Sequence, residues 1–273
     1  EEMLKEIEEK SKKLALGLNV KGLLNIQFAI KDEELFILEA NPRASRTMPF
    51  VAKVTGNQII KAGTLLMLGY SIDEVRNKTK YLSSSSNKVA IKKAIFPWSR
   101  FPAEDTMLGP EMKATGEVLG VGKEFGTALN KAYAAAGVEI KNKEKGVFIT
   151  LSDSEKPNFI KTVNKYLELG FTLYSTEGTG KFLKTNGIDS VIVGKADDLG
   201  QTSLTIIEDK LVSLVINTPT YANELSDGWK IRRLSHETGV AVVSSVREAD
   251  AFIEAFLNQN LVLDDLEVIQ DVS

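Results

Sequence analysis

Five polar side chains that could bind metal and phosphate surround the end of one apolar run. The stretch FILEANPRASRTMPF carries Glu39 and Asn41 two positions apart, followed by Arg43 and Arg46. On a strand such neighbours share a face, and a preceding strand would bring Gln27 beside them. Carboxylate and amide oxygens suit Mg²⁺, and arginine binds the phosphate or carboxylate oxygens that such metals bridge. The spacing is equally compatible with a hairpin end whose arginines pair with Glu39 and nearby acids.

Local patterns predict the elements that hold these residues. Two β-rich runs, GLLNIQFAI and ELFILEA, flank a charged turn and predict a hairpin. Amphipathic helices are predicted over residues 3–17 and 58–68, and a capping box at Ser71 and Glu74 opens another helix. The run KVAIKKAIFPW predicts a strand. The residues after it predict a glycine-broken loop followed by a helix up to Gly137.

The pattern changes after the polar, charged run KNKEKG at 141–146. Short apolar strands (VFITL, FTLYST, SVIVG, LVSLVIN and VAVVSS) then alternate with helical stretches that begin near Lys156, Gly180, Thr202, Trp229 and Arg247. This alternation predicts an α/β fold with a parallel sheet wound with helices on both faces. We therefore predict two domains, residues 1–140 and residues 146–273.

The loops at the carboxyl ends of these strands carry the residue types of a phosphate site, and such ends are where ligands bind parallel sheets. The candidates are Lys156, Thr176, Gly178, Thr179, Lys195 and Asn217. Free backbone N–H groups at a helix start attract anions, the two lysines would add positive charge, and the asparagine could bond a base or ribose. The spacing alone favours a plain capped turn with solvated lysines. The run TEGTGK lacks the spacing of a P-loop, which argues against ATP there.

Composition excludes several classes of protein. The 273 residues carry a net charge of −3, which gives no basic excess for binding nucleic acid. There is no cysteine, so disulfides and thiolate chemistry are excluded. No run approaches the roughly 20 apolar residues of a membrane span, and the charged start is no signal peptide. We expect a cytoplasmic protein and, because the chain opens without methionine, a fragment of a longer one.

The hairpin region resembles a known family. The run NIQFAIKDEELFILEANPRASRTMPFVAKVTG is similar to the C-terminal part of an ATP-grasp active site, most closely to the second, carbamate-phosphorylating half of the carbamoyl phosphate synthetase large subunit. The likeness continues through FPWSRFPAEDTMLGPEMKATGEVLGVGKEFGTALNKA. From about Gly146 the chain resembles the methylglyoxal-synthase-like regulatory domain of that subunit. The implied fold is the C-terminal portion of an ATP-grasp α+β domain followed by a doubly wound parallel-sheet domain.

For the first domain the resemblance implies a ligase site. Gln27, Glu39 and Asn41 would ligate Mg²⁺ or Mn²⁺ bridging the phosphates of ATP, and Arg43 and Arg46 would stabilise charge on the transferred phosphoryl group. The whole enzyme would make carbamoyl phosphate from bicarbonate, ammonia or glutamine, and ATP, for arginine and pyrimidine biosynthesis. The family's glycine-rich loop and adenine pocket would precede residue 1. We therefore expect this chain alone to make no carbamoyl phosphate.

For the second domain the resemblance implies an effector site that binds UMP or IMP through Lys156, Thr176, Thr179, Lys195 and Asn217. Two positions depart from the family pattern. Pro219 replaces a second threonine after Asn217 and Thr218, which weakens the expectation of control by UMP. Lys93 stands where ornithine-activated members have a glutamate, so we expect weak or absent activation by ornithine. The implied partners are a glutaminase small subunit and further copies of the enzyme.

Two other functions are compatible with the sequence. The first is an effector-binding regulatory module without catalysis, in which the first half serves as a structural platform. The second is an independent lyase acting on a phosphorylated triose. The latter would need acid–base chemistry, and the single histidine, His236, is interpreted as a surface or capping residue because the sequence offers it no convincing partner.

Overall fold

A computed structural model describes residues 1–79, 88–98, 101, 106, 112, 114, 116–138, 145–218 and 226–257. These residues belong to two units, and the division falls between Asn87 and Lys88. The sequence-based boundary at 141–146 lies mostly outside the described residues and stays a prediction. No helix in the described ranges combines the length and apolar character needed to cross a membrane.

The first unit is built on a two-stranded hairpin with helices around it. Its elements are α1 (Glu2–Gly17), β1 (Asn25–Lys31), β2 (Glu34–Asn41), α2 (Thr47–Thr55), α3 (Ile59–Met67) and α4 (Ile72–Lys78). The predicted hairpin is confirmed, since β1 and β2 pair antiparallel. Asp32 and Glu33 both have positive φ, as in two-residue hairpin turns whose twist matches that of the flanking strands. The predicted capping box at Ser71 and Glu74 is also present at the start of α4.

Little of the first unit's apolar surface is buried. In its described part the buried hydrophobic side chains are those of Leu35 and Val75, and no residue of α1 or α2 is buried. Large apolar side chains such as Leu16 and Met67 lie in solvent, with 81% and 68% of their surface exposed. The hairpin therefore gains little stability from apolar burial, because stability grows with the apolar area removed from water.

The second unit contains an antiparallel strand pair and a parallel sheet. The pair is β3 (Val89–Ile95) with β4 (Gly116–Gly122), followed by α5 (Phe125–Ala135). The remaining elements are β5 (Gly146–Thr150), α6 (Lys156–Glu168), β6 (Leu173–Ser175), α7 (Glu177–Thr185), β7 (Val191–Ile192), α8 (Thr205–Glu208), β8 (Val212–Asn217), α9 (Asp227–Thr238), β9 (Ala241–Val243) and α10 (Val246–Leu257). The parallel sheet has the order β7-β6-β5-β8-β9, which confirms the predicted α/β fold.

Alternation along β5 produces a core on each face of the parallel sheet. Val147 and Ile149 pack with side chains from α5, α6 and α10, whereas Phe148 packs with side chains from α8 and α9. The chain adds strands to one side of β5 and then crosses back to place β8 on its other side. Such a switch point opens a crevice at the carboxyl ends of the strands, where ligands bind this class of fold.

The predicted glycine-broken loop before α5 is wrong, because that stretch forms β4. A Cβ atom on Gly120 would lie 2.0 Å from the backbone oxygen of Ala128, and one on Gly122 would lie 2.8 Å from its backbone nitrogen. The glycines are there because α5 packs directly against the strand. Glycine that permits close packing looks the same in a sequence as glycine that breaks a strand.

We expect Gly120→Ala to lower the free energy of unfolding of the second unit by about 3 kcal/mol, because the added methyl group must displace the backbone of α5. Urea denaturation followed by circular dichroism measures this change. Gly116→Ala is the matched control on the same strand, since its Cβ would make only an ordinary contact, 3.5 Å from the oxygen of Ile95. Its effect should stay within about 0.5 kcal/mol. Equal stability of the two variants would contradict the close approach of α5.

Candidate functional site

The structure brings the three predicted metal ligands together at one end of the hairpin. Gln27 of β1 lies directly opposite Glu39 of β2. Asn41 Nδ2 donates a hydrogen bond of 2.9 Å to Glu39 Oε1. The pairing register shifts after Gln27, so that Phe28 faces Ile37, as in a β-bulge. Bulges often occur beside functional sites because they redirect neighbouring side chains.

The chemistry of this group fits a hard divalent cation. One carboxylate and two carboxamide oxygens are donors of the kind that Mg²⁺ takes, with water and phosphate completing its shell. The hydrogen bond from Asn41 fixes the asparagine amide and leaves its oxygen for another partner. The described residues contain no group of three or more Asp, Glu, His or Cys side chains that could hold a metal.

Both predicted arginines lie in the exposed loop that leads into α2. Arg43 Nη1 donates to the oxygen of Ala44 at 3.2 Å, and its backbone N–H closes a tight turn on the oxygen of Asn41. Arg46 is the residue immediately before α2. Within the described ranges the contact that Glu39 makes is with Asn41 and not with an arginine. The alternative, a hairpin end whose arginines pair with Glu39 and nearby acids, stays a prediction.

The predicted phosphate site of the second unit is centred on Lys156, the first residue of α6. Its Nζ lies 2.5 Å from Asp153 Oδ1, and the two side chains are 16% and 94% exposed, respectively. The same Nζ is 3.9 Å from the place that a Cβ on Gly178 would occupy. The ammonium group therefore lies against the first turn of α7. An anion at that turn would compete with Asp153 for Lys156.

Helix α7 begins at Glu177, three residues earlier than predicted, with Thr176 as the residue before it. Gly178 and Thr179 consequently lie in the first turn of the helix and not in a preceding loop. Thr179 Oγ1 accepts hydrogen bonds from the backbone N–H of Leu151 at 3.1 Å and from Thr176 Oγ1 at 3.3 Å. Because the threonine is 1% exposed, its hydroxyl joins α7 to the end of β5. Its predicted role as a ligand stays a prediction.

Lys195 reaches the same helix start from the loop after β7. Its backbone N–H donates to Asp198 Oδ2 at 2.8 Å, which shapes that loop. The pKa of Glu177 lies below its ordinary value, chiefly because Lys181 bonds to it and to a smaller extent because of the charge of Lys195. The ammonium of Lys195 is thus close enough to influence the first residue of α7. Positive charge approaches this turn from two loops.

Asn217 ends β8 and is joined to a residue that sequence reasoning missed. Arg232 Nη1 donates to Asn217 Oδ1 at 2.7 Å, and both side chains are buried. Its helix, α9, buries Ile231 and Ser235 on the same side. That spacing, together with the two arginines flanked by Ile231 and Leu234 in KIRRL, was the available signal. Pro219, on which the expectation about UMP depends, lies outside the described residues.

Two consecutive residues after β5 tie the neighbouring loops together. The N–H of Leu151 donates to Thr179 of α7, and the N–H of Ser152 donates to Thr218 Oγ1 after β8 at 2.8 Å. The ends of β6, β5 and β8, which are adjacent in the sheet, therefore form one continuous surface. Lys156, Thr176 and Asn217 all come from these three ends.

A second polar group of the same unit surrounds Lys93. Its Nζ lies 4.3 Å from the centre of the Tyr133 ring, and the Tyr133 hydroxyl contacts Glu248 Oε1 at 3.4 Å. Burial lowers the pKa of Lys93, an effect that the charge of Glu248 opposes. A cation thus already lies over the aromatic ring, within the electrostatic influence of the carboxylate. A second, external amine would meet that charge.

His236 lies in the last turn of α9, as the interpretation of a helix-end residue requires. Its ring centre is 6.0 Å from that of Trp98. Partial desolvation of the ring, together with the charges of the nearby cations Lys93, Arg233 and Arg232, lowers its pKa to about 4. The charged groups that act on the ring are therefore cations. The surface or capping role assigned to His236 stays a prediction.

Comparisons with known proteins agree with both halves of this description. Residues 1–75 match the family model described as "Carbamoyl-phosphate synthase L chain, ATP binding domain", and residues 158–244 match that described as "MGS-like domain". The first range contains the hairpin group. The second contains most of the predicted phosphate site.

Curated relatives cover nearly the whole chain. It is 38% identical over 93% of its length to the carbamoyl phosphate synthase large chain, C-terminal section, of Aquifex aeolicus, and covers 50% of that relative. It is 39% identical over 89% of its length to the C-terminal section from Methanocaldococcus jannaschii, covering 40% of it. The large chain of Brucella suis is 40% identical over 93% of the chain, which covers 22% of it. The chain thus spans half or less of these relatives.

The lowered pKa of His236 predicts how stability responds to acid. Between pH 6.5 and about 4 the unfolded state binds a proton at this ring that the folded state does not, so this contribution to stability is lost as the pH falls through that window. His236→Gln should remove about 1 kcal/mol of the acid-induced loss, a modest amount because the residue is partly solvated. Urea denaturation at pH 4.5 and pH 7.5 measures it. Parallel pH dependences for the two proteins would show that the ring is not desolvated.

Proposed function

We propose, because the chain belongs to the family of carbamoyl phosphate synthase large chains, that it combines one wall of a carbamate-phosphorylating site with an effector-binding domain. The supporting observation for the first unit is the grouping of Gln27, Glu39 and Asn41 at the hairpin end, inside the range that matches the ATP binding domain. The reaction is the transfer of a phosphoryl group from ATP to carbamate, within a ligase that uses bicarbonate and ammonia or glutamine. A glutaminase small subunit and further copies of the enzyme are its proposed partners.

The residues of the first unit act mainly by binding and positioning. Mg²⁺ or Mn²⁺ held by Gln27, Glu39 and Asn41 would neutralise phosphate charge. Arg43 and Arg46, next along the chain, would present guanidinium groups to the transferred phosphoryl group and to the acyl substrate. Phosphoryl transfer needs little else from the protein than correct placement and charge stabilisation. No general acid or base is therefore required of this segment.

In the complete large chain with its glutaminase partner, we expect Glu39→Ala to lower ATP-dependent carbamoyl phosphate formation on the order of a hundredfold, because the single carboxylate of the group is removed. The assay measures carbamoyl phosphate at saturating ATP over a range of Mg²⁺ concentrations. Glu34→Ala is the matched control, since Glu34 lies at the other end of β2 and is exposed.

Two results would contradict this assignment. One is a Glu39→Ala enzyme that keeps the rate and the Mg²⁺ dependence of the unchanged enzyme. The other concerns the chain by itself, which we expect to be inactive. ATP-dependent product from it above that of its own Glu39→Ala variant would show that residues 1–273 contain a complete site.

The second unit is the proposed effector domain, and its ligand is a nucleoside monophosphate such as UMP or IMP. The supporting observation is the position of Lys156 against the first turn of α7, where three backbone N–H groups lack helical acceptors and attract anions. Thr176, Thr179 and Lys195 come from adjoining strand ends. Ornithine is not a proposed effector, because the Lys93 ammonium already lies over the Tyr133 ring and is influenced by the charge of Glu248.

We expect Lys156→Ala to weaken the binding of UMP or IMP at least tenfold, because a charge-assisted hydrogen bond to phosphate is lost. Isothermal titration calorimetry of the chain with each nucleotide, and with inorganic phosphate, measures this. Lys161→Ala, on the exposed side of the same helix, is the matched control and should leave the affinity within about twofold.

Asp153→Asn gives the opposite result if Lys156 holds the phosphate. Removing the carboxylate that now pairs with the ammonium should strengthen anion binding several-fold, because the ligand no longer competes with it. Binding that is unchanged by both Lys156→Ala and Asp153→Asn, in variants that melt like the parent, would place the nucleotide elsewhere.

A further inference from the structure

A groove with an apolar floor runs between α1 and β2 of the first unit. Its volume is about 470 Å³, and it is lined by Lys10, Lys13, Leu14, Gly17, Leu18 and Ile37. Leu18 and Ile37 have 54% and 43% of their surface exposed, so the described residues leave this floor largely uncovered. An apolar patch that is rimmed by polar groups is typical of a surface that binds another segment of protein.

The charge at the rim of this groove is positive. Within the described part of the chain, the charged residues that line it are two lysines of α1. Lys10 Nζ donates to the backbone oxygen of Leu35 at 3.2 Å and lies 2.7 Å from Glu6 Oε1. That ion pair is partly exposed, so it contributes little to stability and an acidic partner can replace it. Lys13 is exposed. The groove therefore offers two cations beside an apolar floor.

Gly17, the last residue of α1, leaves one end of the groove open. A Cβ atom at this position would meet no atom within 4 Å. Because glycine has no side chain, another backbone can approach the helix closely here. The open space also means that a larger side chain at this position would fill the groove without displacing neighbouring residues.

Residues 261–273 have a composition that complements the groove. The run LVLDDLEVIQDVS lies outside the described residues and contains seven apolar side chains, four acids and no lysine or arginine. Its apolar side chains suit the floor and its acids suit the two lysines. Because the run belongs to the same chain, its effective concentration at the groove is on the order of millimolar where the linker spans the distance. A modest set of contacts is then sufficient for docking.

We propose that residues 261–273 dock in this groove, with their apolar side chains on its floor and their acids beside its two lysines. The first unit buries few apolar side chains of its own, and the docked segment adds to the apolar area removed from water. Ile37 precedes Glu39 by two positions on β2, so docking supports the strand that carries the carboxylate. The inference requires neither the proposed metal site nor the proposed effector site.

Hydrogen exchange of the full chain, followed by mass spectrometry of its peptides, tests the docking. Residues 261–273 should exchange on the order of tenfold more slowly than a free synthetic peptide of the same sequence. Gly17→Phe fills the groove and should remove this protection. Gly17→Ala is the matched control, because it adds a single methyl group to open space, and it should change the exchange rate by less than about twofold.

Charge reversal tests the same contact from both sides. Lys13→Glu should accelerate exchange in residues 261–273, and Asp264→Lys with Asp265→Lys should accelerate exchange in residues 14–18. The three changes together restore opposite charges and should recover most of the protection. Lys5→Glu is the charge control, since Lys5 is exposed on the face of α1 opposite Leu14, and it should leave the exchange of residues 261–273 unchanged.

Three results would overturn the proposal. The first is exchange of residues 261–273 in the unchanged chain at the rate of the free peptide. The second is protection that survives both Gly17→Phe and Lys13→Glu, which would place the segment elsewhere. The third is protection that is lost on roughly hundredfold dilution, which would assign the groove to a second copy of the chain.

Discussion

The second unit depends on the bonding of two adjacent peptide groups just beyond β5. A backbone N–H group buried without an acceptor is strongly destabilising, and at a strand end the sheet no longer supplies one. The N–H groups of Leu151 and Ser152 solve this with the hydroxyls of Thr179 and Thr218, taken from the loops on either side. The same two bonds that satisfy the backbone therefore also align the crevice at the switch point of the sheet. These two hydrogen bonds therefore determine both the stability of the strand end and the geometry of the crevice.

The ion pairs in this crevice can exchange partners easily. Lys156 is mostly buried whereas its partner Asp153 is almost fully exposed, so the acid can leave for solvent more easily than the lysine can. Lys195 approaches the same turn near Glu177, whose main partner is Lys181. Exposed ion pairs contribute little to stability. A doubly charged phosphate can replace such weak partners with backbone N–H groups and lysine together, which explains how a chain of net charge −3 could bind an anion here.

The sequence predicted those parts of the fold that have a local cause. Strand–helix alternation predicted the parallel sheet, and the Ser71–Glu74 spacing predicted the capping box, because both depend on neighbours in the chain. Close packing is not local, so the glycines of β4 were mistaken for a loop when they accommodate α5. The start of α7 was placed too late because glycines in its first turn resemble a turn before a helix. Arg232 was missed because its partner, Asn217, is distant in sequence and adjacent only through the packing of α9 on β8.

An effector can act only if it binds two states of the protein with unequal affinity. Within the second unit one contiguous set of contacts connects the sheet helices to the β3–β4 pair: Phe252 of α10 packs edge-on against Tyr133 of α5 at 5.2 Å, and Lys93 of β3 lies over the same ring. Glu248, one turn earlier on α10, contacts the Tyr133 hydroxyl. A shift of α10 would therefore change both the packing and the charge environment of Lys93.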